Sequence, residues 1–412
     1  MRARLKFIKI SFWVYFVLLI VSSPRSSNAA EWAARPSILV GGEYNDNLSL
    51  TTQPHDSVYG STITPTLDLR VSSEIWQIRG DMAASRRRFP GNRNFDSDNQ
   101  FYNLAANYRM ERSTWQLAGS RSETTTFSEQ QITPDTGLVE VQRKYDSYRV
   151  NPSWTWAMDQ LTQLQLAYSL SAISYVDGQS VGLYDYTARG VTAQLSKSLD
   201  PRYQVFVSTT YSVFNIPSTT LKTNSTIYQA GINWSFSQTL NGTFSAGLRR
   251  ASNEQQAVVC TVSFGSVCLQ TATNTQSTKQ SSSVYNASLE KKYEVTRARL
   301  TFSRTYDPTG LGGIVRTDSQ NLALDRRFSS RLTGTFTADN YNYTPETGDL
   351  TNVKRHYYGF APGLKWAWTN ELNVNLTYRY SHIKRVENEQ PATSNSFYLT
   401  FNYQWPKMAI SR

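Results

Sequence analysis

Cysteine, histidine and methionine are scarce in this chain, with two, three and five among 412 residues. Two cysteines exclude a disulfide-dense scaffold, and three histidines leave little for a zinc centre. Gly and Pro, at 21 and 14, are too few for a disordered chain. Beyond the first thirty residues no apolar run is long enough to cross a bilayer as a helix. No GxSxG elbow and no HExxH helix occur, which leaves an enzyme without support. A soluble propeller would suit turns recurring about every forty residues, but no repeated Gly-His or Trp-Asp signature accompanies them.

Aromatics are what the chain has in excess. It carries 25 Tyr, 18 Phe and 10 Trp, residues that favour strands and membrane interfaces. The N-terminus is a separate unit: MRARLKFIKI brings four cations, SFWVYFVLLIV is apolar, and SSNAA offers a cleavage site after Ala29 with Ser27 at the minus-three position. Residues 1–29 therefore read as a secretory signal peptide, and residues 30–412 as one domain. The 42 cations exceed the 31 acids by eleven. Arg2, Arg4, Lys6, Lys9 and Arg25 leave with the leader, so the exported chain keeps 37 against 31, a net +6. Without a concentrated basic stripe, this excludes a nucleic-acid partner.

Period-two alternation runs through the exported chain, as in Leu164, Leu166, Tyr168 and Leu170, or Leu372, Val374, Leu376, Tyr378 and Tyr380, with Gln, Asn, Ser and Thr between. At the C-terminal end Phe397, Leu399, Phe401, Tyr403 and Trp405 alternate with Tyr398, Thr400, Asn402 and Gln404. Short connectors, such as Met158-Asp159-Gln160, alternate with long ones at 51–55, 90–99, 128–143, 176–182, 215–222, 252–280, 307–314, 344–352 and 387–392. Nine long loops and eight short turns predict an all-β fold: an eighteen-stranded antiparallel transmembrane β-barrel with both termini on the short-turn, periplasmic side. No lipid-exposed backbone group can stay unpaired, so the last strand must close on the first. The expected location is the outer membrane of a Gram-negative bacterium, with membrane lipid as the first partner.

Alternation assigns the lumen face. It carries Arg70, Arg79, Arg109, Arg149, Arg249, Lys292, Arg299, Arg327, Lys365 and Arg379 against the acids Glu43, Asp68, Asp81, Glu290 and Asp325. Such an excess lowers the barrier for anions. The plainer reading is cross-strand pairing, Asp68 with Arg79 or Glu290 with Arg299, which would only stiffen the wall. Cys260 and Cys268 lie in the longest loop, outside any expected strand, where a disulfide would make a local staple. No cofactor or metal is expected; the oxygen-rich Asp46-Asn47 stretch matches no calcium loop and reads as turn chemistry.

The first exported strand, ILVGGEYNDNLSL, followed by a hairpin and STITPTLDLRVSS, resembles the outer-membrane β-barrel proteins that accompany exopolysaccharide biosynthesis and PEP-CTERM protein-sorting systems; Tyr44-Asn45-Asp46-Asn47 carries most of the likeness. Such barrels often end on an aromatic residue, whereas Trp405 here is followed by PKMAISR. The resemblance implies a porin-like channel exporting an anionic exopolysaccharide, together with periplasmic export or sorting machinery. The alternatives are a non-conducting outer-membrane scaffold and a general diffusion porin.

Overall fold

The computed structural model describes residues 30–52, 56–126, 142–219, 221–264, 267–347, 354–385 and 391–411, with the side chains of 255–276, 410 and 411 excepted. The leader expected at 1–29 lies outside them. Strands β1 (Glu31–Asn45), β2 (Val58–Ser72), β3 (Trp76–Arg88), β4 (Ser97–Arg109), β5 (Ser113–Thr125) and β6 (Lys144–Ala157) open the wall. It continues through β7 (Thr162–Tyr175), β8 (Tyr186–Asp200), β9 (Tyr203–Ile216), β10 (Leu221–Ser237), β11 (Leu240–Phe264) and β12 (Val267–Lys292). Strands β13 (Thr296–Thr309), β14 (Gly313–Arg327), β15 (Leu332–Pro345), β16 (Arg355–Ala367), β17 (Leu372–Arg385), β18 (Pro391–Gln404) and β19 (Met408–Ser411) complete it.

From β1 to β18 each strand pairs antiparallel with its neighbours in sequence, and β1 closes the circle. It pairs with β18 from Ser37↔Gln404 to Asn45↔Ser396, and with β19 from Glu31↔Ser411 to Ala34↔Met408. β18 and β19 are thus one stave interrupted at Trp405–Lys407, and the wall has eighteen staves. The residues after Trp405, a departure from an aromatic terminus, extend the seam that closes the barrel.

The tight turns form for local reasons. Asp159 Oδ1 accepts the Leu161 and Thr162 amides at 2.7 Å each, and Asp200 Oδ1 those of Arg202 and Tyr203 at 2.6 and 2.9 Å. Ser237, Ser329 and Thr369 cap theirs in the same way. The Leu161 amide, with the Thr162 contacts, holds the Asp159 carboxyl below its ordinary range.

Three of the expected long loops are largely strand. β9 and β10 leave only 217–220 between them, β13 and β14 only 310–312, and β11 and β12 pair from Leu240↔Lys291 up to Phe264↔Val267. The stretch 252–280 is therefore a projecting β-hairpin, and Cys260 and Cys268 stand in its strands, not in a loop. Cys260 is opposite Thr271 and Cys268 opposite Ser263; both side chains lie outside the described ones. Beyond the membrane no face needs to be apolar. The alternation that marks a strand is lost there although the ladder continues.

Within the membrane the alternation holds. Val207, Leu248 and Leu376 keep 56%, 56% and 47% of their surface exposed on the outer face, an arrangement stable only against lipid. Aromatic rings bridge strands along the same face. Tyr44 meets Tyr59 at 5.1 Å and Phe397 meets Tyr378 at 4.9 Å, while Trp366 stacks on Trp368 of its own chain segment at 5.4 Å. Leu376→Arg should cost about 2–4 kcal/mol near the bilayer midplane, while Thr377→Arg, one residue on and facing water, should cost little. Urea titration of both variants refolded into vesicles checks this, and equal losses would contradict the assigned faces.

Candidate functional site

The candidate site is the lumen, and the outward aromatic positions fix which residues face it. Cross-strand partners share a face, so the register carries the assignment round the barrel. From Phe401 it passes through Val40 to Ile63 outside, and from Thr400 through Gly41 to Thr62 inside. On the inside row near the periplasmic turns, Arg70 stands directly opposite Arg79, with Ala33 and Ala105 flanking the pair. The next row places Arg35, Asp68, Asp81 and Asn103 side by side. Arg35, Arg70 and Arg79 line one cavity with Lys407, Asp68 and Asp81. Like charges directly opposite repel. Among the described residues no ion pair joins Arg35, Arg70 or Arg79 to a carboxylate, so the Asp68–Arg79 bridge that would only stiffen the wall is not formed.

The other cations are distributed unevenly. Arg299 is opposite Glu290 and bonds it, and the same carboxylate takes Arg297 at 2.8 Å and Lys292 at 3.0 Å. Asp325 is opposite Arg297, on the same row. Arg327 and Lys365 both flank Thr333, while Arg109 faces Thr114. Arg149 lies opposite Ser120 and Ser171, and Arg379 opposite Ser396, higher in the lumen. The arc from β7 to β10 presents amides instead. Gln163, Gln165, Gln194, Gln204 and Asn233 share the lumen face, and Asn233 Nδ2 donates to Gln204 Oε1 at 3.0 Å.

Arg249 belongs to a different structure, because the outer end of the lumen is filled. Tyr145, Ile173, Tyr175, Leu183, Phe214 and Ile216 form a buried apolar cluster on the inner face of β6–β9, joined by Ile314 from β14. The 310–312 turn reaches this cluster. Tyr184 N donates to Gly310 O at 2.7 Å, and Leu311 packs against the same group. A Cβ on Gly310 would run into the Tyr175 ring, and Gly312 takes φ +98°, so both ends of this tip require glycine. Leu311 also touches the Val315–Tyr343 cluster, and Tyr341 joins that to Tyr357, Ile383 and Ala392, where Leu50 of the first loop folds in. An apolar layer thus crosses the mouth from β6 to β18.

A buried ion pair fastens the layer. Glu346, just past β15, accepts from Arg249 Nη1 at 2.6 Å and from Ser282 Oγ at 3.3 Å, and the two charged side chains are 4% and 2% exposed. Arg249 also lies 4.6 Å over the Tyr306 ring. Burial pushes the Glu346 carboxyl above its ordinary range, against the pull of Arg249 and Ser282. A second buried pair joins Glu43 to Arg87 between β1 and β3. Glu346, Arg87, Arg35 and the tip were not expected. The signal for the tip was present in β7, where the apolar phase runs Leu164, Leu166, Tyr168, Leu170 and then shifts to Ile173 and Tyr175.

Of the histidines, His356 and His382 face outward beside Tyr358, with His356 bonded to Asn340 at 2.8 Å and His382 stacked on Tyr358 at 4.4 Å; His55 lies outside the described residues. Among the described residues no cluster of three His, Cys, Asp or Glu side chains could hold a metal ion.

No protein-family model matches the sequence, and no curated protein is similar to it. Solved structures that are similar in shape include the ferric-catecholate import receptor Fiu of Escherichia coli K12, at 9% identity and TM-score 0.48 over 93% of this chain and 82% of that one. Acinetobacter baumannii OccAB3 is 10% identical, with TM-score 0.44 over 91% and 99% of the two chains. The Pseudomonas aeruginosa outer-membrane protein opdK is 9% identical, with TM-score 0.44 over 90% and 99%.

Proposed function

We propose that this outer-membrane barrel is a channel for anionic solutes, drawn here with its outer mouth closed, and that its cargo is an acidic polysaccharide. The observation that carries this reading is the pair of opposed arginines, Arg70 and Arg79, on the lumen face in a cavity that Arg35, Lys407, Asp68 and Asp81 also line, with no ion pair from a carboxylate to the three arginines among the described residues. Two arginines at directly opposed positions on one cavity suit a carboxylate or phosphate group, which guanidinium can bind in bidentate fashion. The amide arc across the lumen suits sugar hydroxyls. The resemblance of the first two strands to barrels of exopolysaccharide systems supports the cargo and implies periplasmic export or sorting partners.

The apolar layer favours a second reading, a non-conducting scaffold, because a sealed mouth passes nothing. Planar-bilayer recordings separate the two, made on the native protein and on a variant lacking Gly310, Leu311 and Gly312. A channel should conduct with anion preference, most readily in the shortened variant. Arg79→Glu, Arg109→Glu, Arg299→Glu and Arg379→Glu should each shift that preference. A reversed charge about 8 Å from a permeating ion changes its energy by about 1 kcal/mol in a water-like medium, roughly fivefold in permeability ratio. A closed or cation-selective shortened variant removes the anion-channel reading.

A further inference from the structure

The seam between β12 and β13 is unlike the others. It holds only from Lys292↔Arg297 up to Tyr285↔Arg304, whereas β10 and β11 stay paired to Lys222↔Glu254, and β14 and β15 to Val315↔Pro345. Above Tyr285 the β12 edge has no ladder partner among the described residues, while β13 leaves the wall and carries the tip inward. Tyr306 marks the departure. It alternates with Phe302 and Leu300 on the outward phase of β13, yet its ring lies on Arg249, a lumen residue. At Tyr306 the outer face of β13 therefore packs on Arg249, on the inner face of β11. Among the described residues the split is bridged by hydrogen bonds from Arg304 Nη1 to Ser283 Oγ at 3.1 Å and from Tyr306 Oη to Ser283 O at 3.3 Å, with the Arg304 guanidinium 5.2 Å over the Tyr285 ring at its foot.

We infer that β12 and β13 form a zipper that gates the outer mouth: extending the existing register pairs Val284 with Thr305, Ser283 with Tyr306 and Ser282 with Asp307, and draws the Gly310–Gly312 tip out of the lumen. The inference rests on the channel reading and names its regulation. The continuation is consistent in phase. It returns Tyr306 to the outer face beside Tyr285 and puts Ser282 and Asp307 together on the lumen face. It ends at Pro308, which has no amide to offer a ladder. Because β13, β14 and β15 are one ladder, Glu346 leaves Arg249 as the tip moves. Each state satisfies what the other leaves open: the closed one buries Leu311 and Ile314, and the zipped one pairs a free strand edge. An element with two discrete packings is what a switch requires.

Cysteine pairs test this in the full-length protein with Cys260→Ser and Cys268→Ser as background. Ser282→Cys with Asp307→Cys should cross-link on oxidation and hold the bilayer current at its open level until reduced. Tyr184→Cys with Leu311→Cys should cross-link and abolish the current, again reversibly. Heat-modifiable migration on gels confirms that each variant is folded. A folded Ser282/Asp307 variant that fails to cross-link while Tyr184/Leu311 succeeds overturns the zipper, as does a cross-link that leaves the current unchanged, and the anion channel stands in either case. Both cross-links forming in a protein that never conducts keeps the movement and removes the channel.

Discussion

Glu346→Ala should open the outer mouth. The substitution strands the Arg249 guanidinium, 1% exposed over the whole residue, among Ser282, Tyr306 and the apolar layer. A buried charge that loses its partner costs about 3–5 kcal/mol, and the closed state bears that cost because only there is Arg249 covered. Since 1.4 kcal/mol is tenfold, the ratio of open to closed channels should rise by roughly 10²- to 4 × 10³-fold in single-channel recordings. The control is the double replacement Arg249→Met with Glu346→Leu. It removes both charges and keeps the volume apolar, so the mouth should stay shut. If Glu346→Ala is as closed as the native protein, the ion pair is not what fastens the layer.

Glu43→Ala should be the most destabilising change in the first hairpin. Arg87 forks onto both Glu43 oxygens, the two side chains are 9% and 6% exposed, and the guanidinium carbon lies 4.9 Å over the Phe89 ring. Phe89 is itself buried beneath the start of the β3–β4 connection. The pair exists because position 60 is glycine: a Cβ there would run into Glu43 and Phe89. Removing the carboxylate should cost about 3–5 kcal/mol, read as a lower urea midpoint of the refolded barrel. Gly60→Val should lower the midpoint in the same direction by displacing both groups. A loss under about 1 kcal/mol for Glu43→Ala would mean that the pair is solvated in the membrane-embedded protein.

The residues of the membrane belt were legible because lipid on one side and water on the other force a strict period of two. Phe397 to Trp405, or Leu372 to Tyr380, have no other economical reading, and the number of staves followed from the turns. The same logic misread 252–280, where β11 and β12 stay paired up to Phe264↔Val267 although the sequence no longer alternates. It also misplaced the two cysteines. Lumen cations could be assigned a face but not a partner: Arg299 and Glu290 meet, whereas Arg79 and Asp68, equally well spaced in sequence, do not.

By itself, then, the sequence determined the local quantities: which residues alternate, where Asp, Ser and Thr close the turns, and therefore the wall, its direction and its apolar belt. Tertiary structure alone decided what fills the barrel. Leu311, Glu346 and Leu50 lie in connections whose short-range pattern is that of any surface loop. Their burial depends on Tyr175, Arg249 and Ile383, up to several hundred residues away in sequence and brought near only by closure of the wall. Contacts of that range leave no periodic trace, since nothing in the local chain repeats with them. Phase shifts, to Ile173 and Tyr175 in β7 and from Val207 to Phe214 and Ile216 in β9, are the marks they leave on the strands.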